Sequence, residues 1–149
     1  DFPDYKLLII GSGSKLLTNF LKNLVQNCDL SDRIIFIPHL ANNEAKIEIS
    51  KAKVLINCSD NENFSISCAE ATYEGTPVIT SRKTGFSELI NKYGSGVVIK
   101  NNEVDLLEKG LRELLYNWQH FHENCIDNSK YLSWKFVSKR WLAVLAEEK

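Results

Sequence analysis

The chain has 149 residues, a formal net charge of −1 and 44% hydrophobic residues, values that are ordinary for a soluble, globular, single-domain protein. The near-neutral charge argues against nucleic acid as the main partner, because no excess of basic residues is available to displace counterions. No apolar run approaches the roughly 20 residues of a membrane span, and no signal-peptide pattern opens the chain. The sequence contains no methionine, so we expect a fragment, a processed product or an excerpt of a longer cytoplasmic protein.

Strands and helices alternate along the first two thirds of the chain. Short runs of branched and leucine side chains predict strands at residues 7–10, 34–37, 54–56, 78–79 and 97–99. Runs that are apolar throughout are typical of strands buried on both faces. Helices are predicted between them, over residues 16–25, 42–52, 65–74 and 86–93. This alternation predicts an α/β fold with a doubly wound, Rossmann-like parallel sheet and helices on both faces.

The last third of the chain has a purely helical pattern. Val104, Leu107, Leu111 and Leu114 form an apolar stripe, and a further helix is predicted over residues 116–128. Asn102 with Asp105 resembles a capping box at the start of this helical tail. Another helix follows residue 133 with its apolar side chains on one side, Trp134, Val137, Trp141, Val144 and Leu145.

The most informative stretch is residues 62–79. Glu62 and Glu70 are separated by seven residues. The predicted helix over residues 65–74 begins between them, and Gly75 ends it. The free N–H groups and positive dipole end of that helix are then close to both carboxylates. Carboxylates can bind sugar hydroxyls, and a helix N-terminus can bind phosphate. A nucleotide sugar would use both.

This stretch resembles the donor-site signature of the retaining glycosyltransferases of family 4, which have the GT-B architecture. The positions that match the family pattern are Glu62, Phe64, Glu70, Ala71, Gly75, Pro77 and Val78. Ser65 departs from it, because the family prefers a glycine there and serine cannot adopt a positive φ without strain. Either the turn that faces the phosphate is altered, or the Ser65 hydroxyl caps the helix.

The resemblance implies a role for each acidic residue. Glu62 would be the catalytic residue, contacting the transferred sugar and stabilising positive charge at its anomeric carbon as the diphosphate leaves. Glu70 would bind the ribose hydroxyls of the donor, each charge-assisted bond contributing about 1.5–3 kcal/mol. The other donor-binding residues that the resemblance implies are Asn63, Phe64, Ser65 and Ile66, mainly through the backbone, and Gly11, Gly13, His39 and Leu40. Phe64 is equally consistent with a packing role.

The resemblance also implies which parts of the family's architecture the chain lacks. Residues 1–149 would be a single nucleotide-sugar-binding domain, most of the C-terminal half of a GT-B fold, without the N-terminal acceptor domain and without the first strand and helix of the donor domain. That strand and helix carry the family's Arg and Lys for the diphosphate. We therefore expect the isolated chain to bind nucleotide but not to turn over.

For the full-length protein the resemblance implies transfer of a hexose, with retention, from a UDP- or GDP-type sugar to a saccharide, lipid or protein acceptor. The setting would be cell-envelope polysaccharide biosynthesis in the cytoplasm, with peripheral membrane association left open. No metal or other cofactor is expected. The acceptor glycan or lipid would bind through the N-terminal domain.

Other interpretations of the sequence are less favourable. A non-catalytic nucleotide-binding or interaction domain on the same scaffold is the main alternative, since fold alone does not fix function. Gly11 and Gly13 suggest a dinucleotide site, but Leu16 stands where the fingerprint needs a third glycine. His120 and His122 are two residues apart and do not share a helix face, which disfavours a metal site. The four cysteines lack paired spacing and are predicted to be reduced thiols.

Overall fold

The computed structural model describes residues 2–147. The chain divides into two compact units, Asp1–Ala45 and Lys46–Lys149. The elements of the first unit are β1 (Leu7–Ile10), α1 (Lys15–Asn27), β2 (Ile34–Ile37) and the first residues of α2 (Asn42–Lys51). The second unit continues with β3 (Leu55–Asn57), α3 (Ile66–Tyr73), β4 (Val78–Ser81), α4 (Ser87–Tyr93), β5 (Gly96–Ile99), α5 (Val104–Tyr116), α6 (Trp118–Asn128) and α7 (Trp134–Glu147).

The first unit is a two-stranded parallel sheet with helix α1. Leu7 of β1 stands beside Ile34 of β2, and Ser14 caps α1 by accepting a hydrogen bond from the backbone N–H of Leu17 at 3.2 Å. No residue within 2–45 is buried, and the Leu7 side chain is 44% exposed. The prediction of burial on both faces is therefore wrong for both β1 and β2. Two strands and one helix offer too little surface to cover each other's apolar side chains.

The second unit contains a three-stranded parallel sheet in the order β3-β4-β5. Every residue of β4 is buried, and adjacent residues point to opposite faces. Val78 packs in a cluster with Cys68 and Ala71 of α3, Ile90 of α4 and Phe86, the N-cap of α4. Ile79 packs on the other face with Ile99 and with Leu114 of α5. The predicted α/β fold with parallel strands is confirmed, and helices cover both faces of this sheet.

Helix α3 ends as the sequence predicts. Gly75 has φ 85°, a conformation in which a Cβ would be strained. Its N–H donates to the carbonyl of Thr72, and the N–H of Thr76 donates to the carbonyl of Ala71 at 2.8 Å. This pair of bonds is the Schellman arrangement, which satisfies two of the last helical carbonyls. The chain then turns through buried Pro77 directly into β4.

The prediction that Asn102 belongs to a capping box is wrong. The residue at the N-cap of α5 is Glu103, and no side chain caps the helix there. The Asn102 amide donates instead to the carbonyl of Cys58 at 2.8 Å and to Asp60 Oδ1 at 3.1 Å. Asn102 thus ties the segment after β5 to the segment after β3, a contact between residues more than 40 positions apart.

Candidate functional site

The acidic residues of the predicted donor site lie in the second unit, one in the loop after β3 and the other in helix α3. Glu62 belongs to the loop after β3, and this loop pairs with the loop after β4. The N–H of Glu62 donates to the carbonyl of Lys83 at 3.2 Å, and the N–H of Gly85 donates to the carbonyl of Glu62 at 2.9 Å. The backbone of Glu62 is therefore held on both sides. Ligands of open parallel sheets bind outside the carboxyl ends of the strands.

The contact between these two loops requires a glycine. A Cβ built on Gly85 would overlap the carbonyl oxygen of Asn63 and lie 3.7 Å from the Cα of Phe64. The ring of Phe64 also packs edge-on against Phe86, with 5.3 Å between ring centroids. Phe86 is fully buried, whereas Phe64 is 46% exposed. Phe64 therefore has a packing role. The sequence analysis did not include Gly85 in the site. Its position in the short connection between a strand and a helix was nevertheless a signal that two backbone segments approach each other closely there.

Ser65 stands directly before α3 in an unusual conformation. Its φ is 68° and its ψ is 90°, and a serine held in such a sparsely populated region costs on the order of 1–3 kcal/mol. Its hydroxyl accepts a hydrogen bond from the backbone N–H of Cys68 at 3.4 Å, so it is the N-cap of α3. The sequence offered capping as one of two interpretations of Ser65, and the structure shows capping together with a positive φ.

The segment that leads into α3 presents unpaired backbone donors. Within residues 2–147, the N–H groups of residues 63–67 donate to no protein acceptor. The next N–H along the chain, that of Cys68, donates to the hydroxyl of Ser65. Ser67 and Ile66 are exposed at the surface. Unpaired N–H groups and the positive end of the helix dipole favour an anion at this position.

One of the two carboxylates precedes α3 and the other lies within it. Glu62 precedes α3, and Glu70 lies in its second turn; both are half-buried. In the part of the chain that the structure describes, neither carboxylate has a hydrogen-bond or ion-pair partner. Burial raises the pKa of the Cys68 thiol, and the negative charge of Glu62 contributes to raising it further. Glu62 stands three residues before Ser65, the N-cap of α3.

The remaining predicted donor-binding residues lie in the first unit. Gly11 directly follows β1 with φ 136°, and its N–H donates to the carbonyl of Ile37 at 3.0 Å. Gly13 follows two residues later, and His39 and Leu40 lie just after β2. All four are at the carboxyl end of the two parallel strands of their own unit. His39 is exposed and Leu40 half-buried. The roles of all these residues stay predictions.

The other chemical groups of residues 2–147 give no second site of this kind. All four cysteines are free thiols, Cys28 and Cys58 exposed, Cys68 and Cys125 buried. Across residues 2–147, no group of three histidine, cysteine, aspartate or glutamate side chains is placed to hold a metal ion. None of the helices described there is long and apolar enough to cross a bilayer.

Comparison with known families identifies the chain. The model of the family "Glycosyl transferases group 1" matches residues 1–131. The chain belongs to the group 1 glycosyl transferases. Among curated members, an O-antigen biosynthesis glycosyltransferase, WclY of Escherichia coli, is 30% identical over 138 residues, which cover 91% of this chain and 38% of WclY. This chain spans between 36% and 38% of the length of the first curated relatives that it matches.

Solved structures of glycosyltransferases share the fold of this group 1 chain. A sucrose-phosphate synthase from Thermosynechococcus elongatus aligns with a TM-score of 0.82 at 21% identity, covering 95% of this chain and 38% of the synthase. HepE of Anabaena in complex with UDP-glucose aligns with a TM-score of 0.80 at 17% identity, covering 97% and 42% of the two chains. At these identities the likeness concerns the fold, that of the Rossmann-like C-terminal domain of GT-B glycosyltransferases.

Proposed function

We propose that this chain is the donor-binding part of a retaining glycosyltransferase that transfers a hexose from a nucleotide diphosphate sugar. The observation that carries the proposal is the start of α3, where the N–H groups of residues 63–67 have no acceptor in the described chain. Two half-buried carboxylates without partners belong to the same segment, Glu62 in the loop before α3 and Glu70 in its second turn. The N–H groups would bind the diphosphate. Glu70 would bind the ribose, and Glu62 the sugar that is transferred.

The comparisons support the same donor class. The HepE structure contains UDP-glucose, and that protein shares the fold of this chain. We therefore propose a UDP- or GDP-type sugar as donor, bound without a metal or other cofactor. We also propose Gly11, Gly13, His39 and Leu40 as donor-binding residues, because they follow the carboxyl ends of two parallel strands.

The setting that we propose is synthesis of a cell-envelope polysaccharide at the cytoplasmic side of the membrane. It rests on relatives such as WclY and the O-antigen chain mannosyltransferase RfbU of Salmonella typhimurium, which is 36% identical over 83 residues. A saccharide or lipid acceptor fits this setting. Retention is checked with the full-length protein, by the one-bond coupling constant between C1 and H1 of the transferred sugar, which would indicate the same anomer as in the donor.

Donor binding is tested by calorimetry of the 149-residue chain with UDP, GDP, ADP and UDP-glucose. Glu70→Gln removes the charge but keeps the shape, and we expect it to weaken binding of the preferred nucleotide by roughly 10- to 100-fold, the effect of losing charge-assisted bonds. Glu74→Gln is the matched control, because Glu74 caps the opposite end of α3. It removes the same charge and should change the affinity less than about twofold.

Two outcomes would count against the proposal. If no nucleotide diphosphate binds, the donor-site assignment fails. If binding occurs but Glu70→Gln leaves it unchanged, the chain is a nucleotide-binding domain of another kind, as the main alternative from the sequence holds.

A further inference from the structure

Ser65 is held in its strained conformation by a buried hydrogen-bond network. Besides Ser65, the only non-glycine residue within 2–147 with a positive φ is Asp29, which lies exposed just after the end of α1. An aspartate just after a helix C-terminus adopts this conformation readily. Ser65 instead is only 4% exposed and lies at a helix N-terminus, where its conformation needs support from its surroundings.

The hydroxyl of Ser65 uses all of its bonding capacity. A hydroxyl oxygen has two lone pairs and one proton. Asn57 Nδ2 donates to Ser65 Oγ at 2.7 Å, and the N–H of Cys68 donates to it at 3.4 Å. The proton of Ser65 is then directed to Cys68 Sγ or to Ser67 Oγ, each at 3.1 Å. Loss of Asn57 would therefore leave this nearly buried oxygen under-bonded.

Asn57 is itself fixed in orientation. It is the last residue of β3 and stands beside Thr80 of β4 in the parallel register. Its Oδ1 accepts a hydrogen bond from the N–H of Ser59 at 3.0 Å, so its amide nitrogen points to Ser65. The end of the strand thereby controls the first turn of the helix.

We propose that Asn57 is a positioning residue, whose hydrogen bond to Ser65 holds the left-handed turn that aims the N–H groups of Ile66 and Ser67 at the donor diphosphate. A glycine would adopt this turn without help, so a serine here requires a partner on the sheet. Asn57 acts through Ser65 and does not touch the donor. This inference rests on the proposed function of the α3 start as the phosphate-binding site.

A double-mutant cycle tests the proposal, with UDP affinity measured by calorimetry on Asn57→Ala, Ser65→Gly, the double variant and the parent. Asn57→Ala should weaken UDP binding about five- to tenfold in the parent, the effect of one lost hydrogen bond to a nearly buried group. In the Ser65→Gly background the same change should alter the affinity less than about twofold, because the glycine has no hydroxyl to hold. The UDP affinity of Ser65→Gly is the reference against which the affinity of the double variant is compared.

Urea unfolding of the same four proteins separates positioning from a purely structural role. If Asn57→Ala lowers stability but leaves the UDP affinity of the folded protein unchanged, the proposal is wrong. An equal loss of affinity in both backgrounds would also overturn it, since Asn57 would then act without Ser65. Should Asn57→Ala not fold, Asn57→Leu removes the same donor without adding a charge and keeps the side-chain volume, and the cycle is repeated with that variant.

Glu70→Gln distinguishes failure of this inference from failure of the proposed function. If UDP binds and Glu70→Gln weakens it, while the Asn57 cycle shows no coupling, only the positioning role is rejected. If UDP binding does not depend on Glu70, the donor site is rejected, and the positioning role with it.

Discussion

The two compact units contain similar strands but differ in how those strands are covered. β1 in the first unit and β4 in the second are both short, uncharged parallel strands, yet β4 is completely buried and β1 is largely exposed. The difference comes from the layers around each strand. β4 lies between α3 and α4 on one face and α5 on the other, whereas no residue within 2–45 is buried. An apolar run therefore indicates a strand, but the burial of that strand depends on which elements pack against it.

The same contrast applies to the predicted donor site. Glu62 and the start of α3 are fixed by hydrogen bonds and by the buried side chains of Phe86 and Cys68. The turn at Gly11 and Gly13 is exposed. We therefore expect the Glu62 loop and the start of α3 to be more rigidly held than the turn at Gly11 and Gly13.

The largest expected effect is on the free energy of unfolding. It is tested by replacing one phenylalanine with alanine in each unit, in separate variants. Phe86→Ala removes a fully buried ring and should lower the free energy of unfolding by about 3–5 kcal/mol. Phe20→Ala in α1 is the matched control, because its ring is 62% exposed, and should cost less than about 1 kcal/mol. Urea unfolding followed by circular dichroism measures both. Equal losses would show that Phe20 is buried in solution and that the two units do not differ.

Gly85→Ala tests the close contact between the loops after β3 and β4. The added methyl group overlaps the backbone of Asn63, so the loops must separate, at an expected cost of about 1–3 kcal/mol. Gly13→Ala is the control for stability, because its Cβ would meet only Thr18 Oγ1 at 3.9 Å. Gly85→Ala should also weaken UDP binding, since the Glu62 loop moves. A variant with parental stability and affinity would mean that this contact does not fix the loop.

The smallest effect concerns the pH dependence of stability. Burial raises the pKa of the Cys125 thiol from 9.0 to about 12. Between these values the unfolded chain has lost the proton that the folded chain retains, so stability falls as pH rises above 9.0. Below that range this thiol is protonated in both states and contributes no pH dependence.

Comparison of two cysteine variants isolates this contribution. Cys125→Ala should flatten the alkaline decline of the unfolding free energy, measured by urea unfolding at a series of pH values. Cys28→Ala, in the exposed position of the first unit, should keep the parental slope. An unchanged slope in Cys125→Ala would show that this thiol is accessible to solvent in the folded protein.

The sequence by itself determined the elements and the central motif. Helical and strand spacing, the helix stop at Gly75 and the turn into β4 at Pro77 depend on residues a few positions apart, so local patterns suffice to predict them. The match of Glu62, Glu70 and their neighbours to a donor signature likewise needed only spacing. It also identified Ser65 as the position where the backbone would be unusual.

Only the tertiary structure decided which distant residues meet. Asn102 binds the segment after β3 instead of capping α5, Gly85 touches the backbone of Asn63, and Asn57 bonds to Ser65. The burial of β4 and the exposure of β1 were decided in the same way. The physical reason is that parallel strands bring their carboxyl ends to one edge of a sheet, and which loops pair there depends on strand order and register, which no local pattern contains.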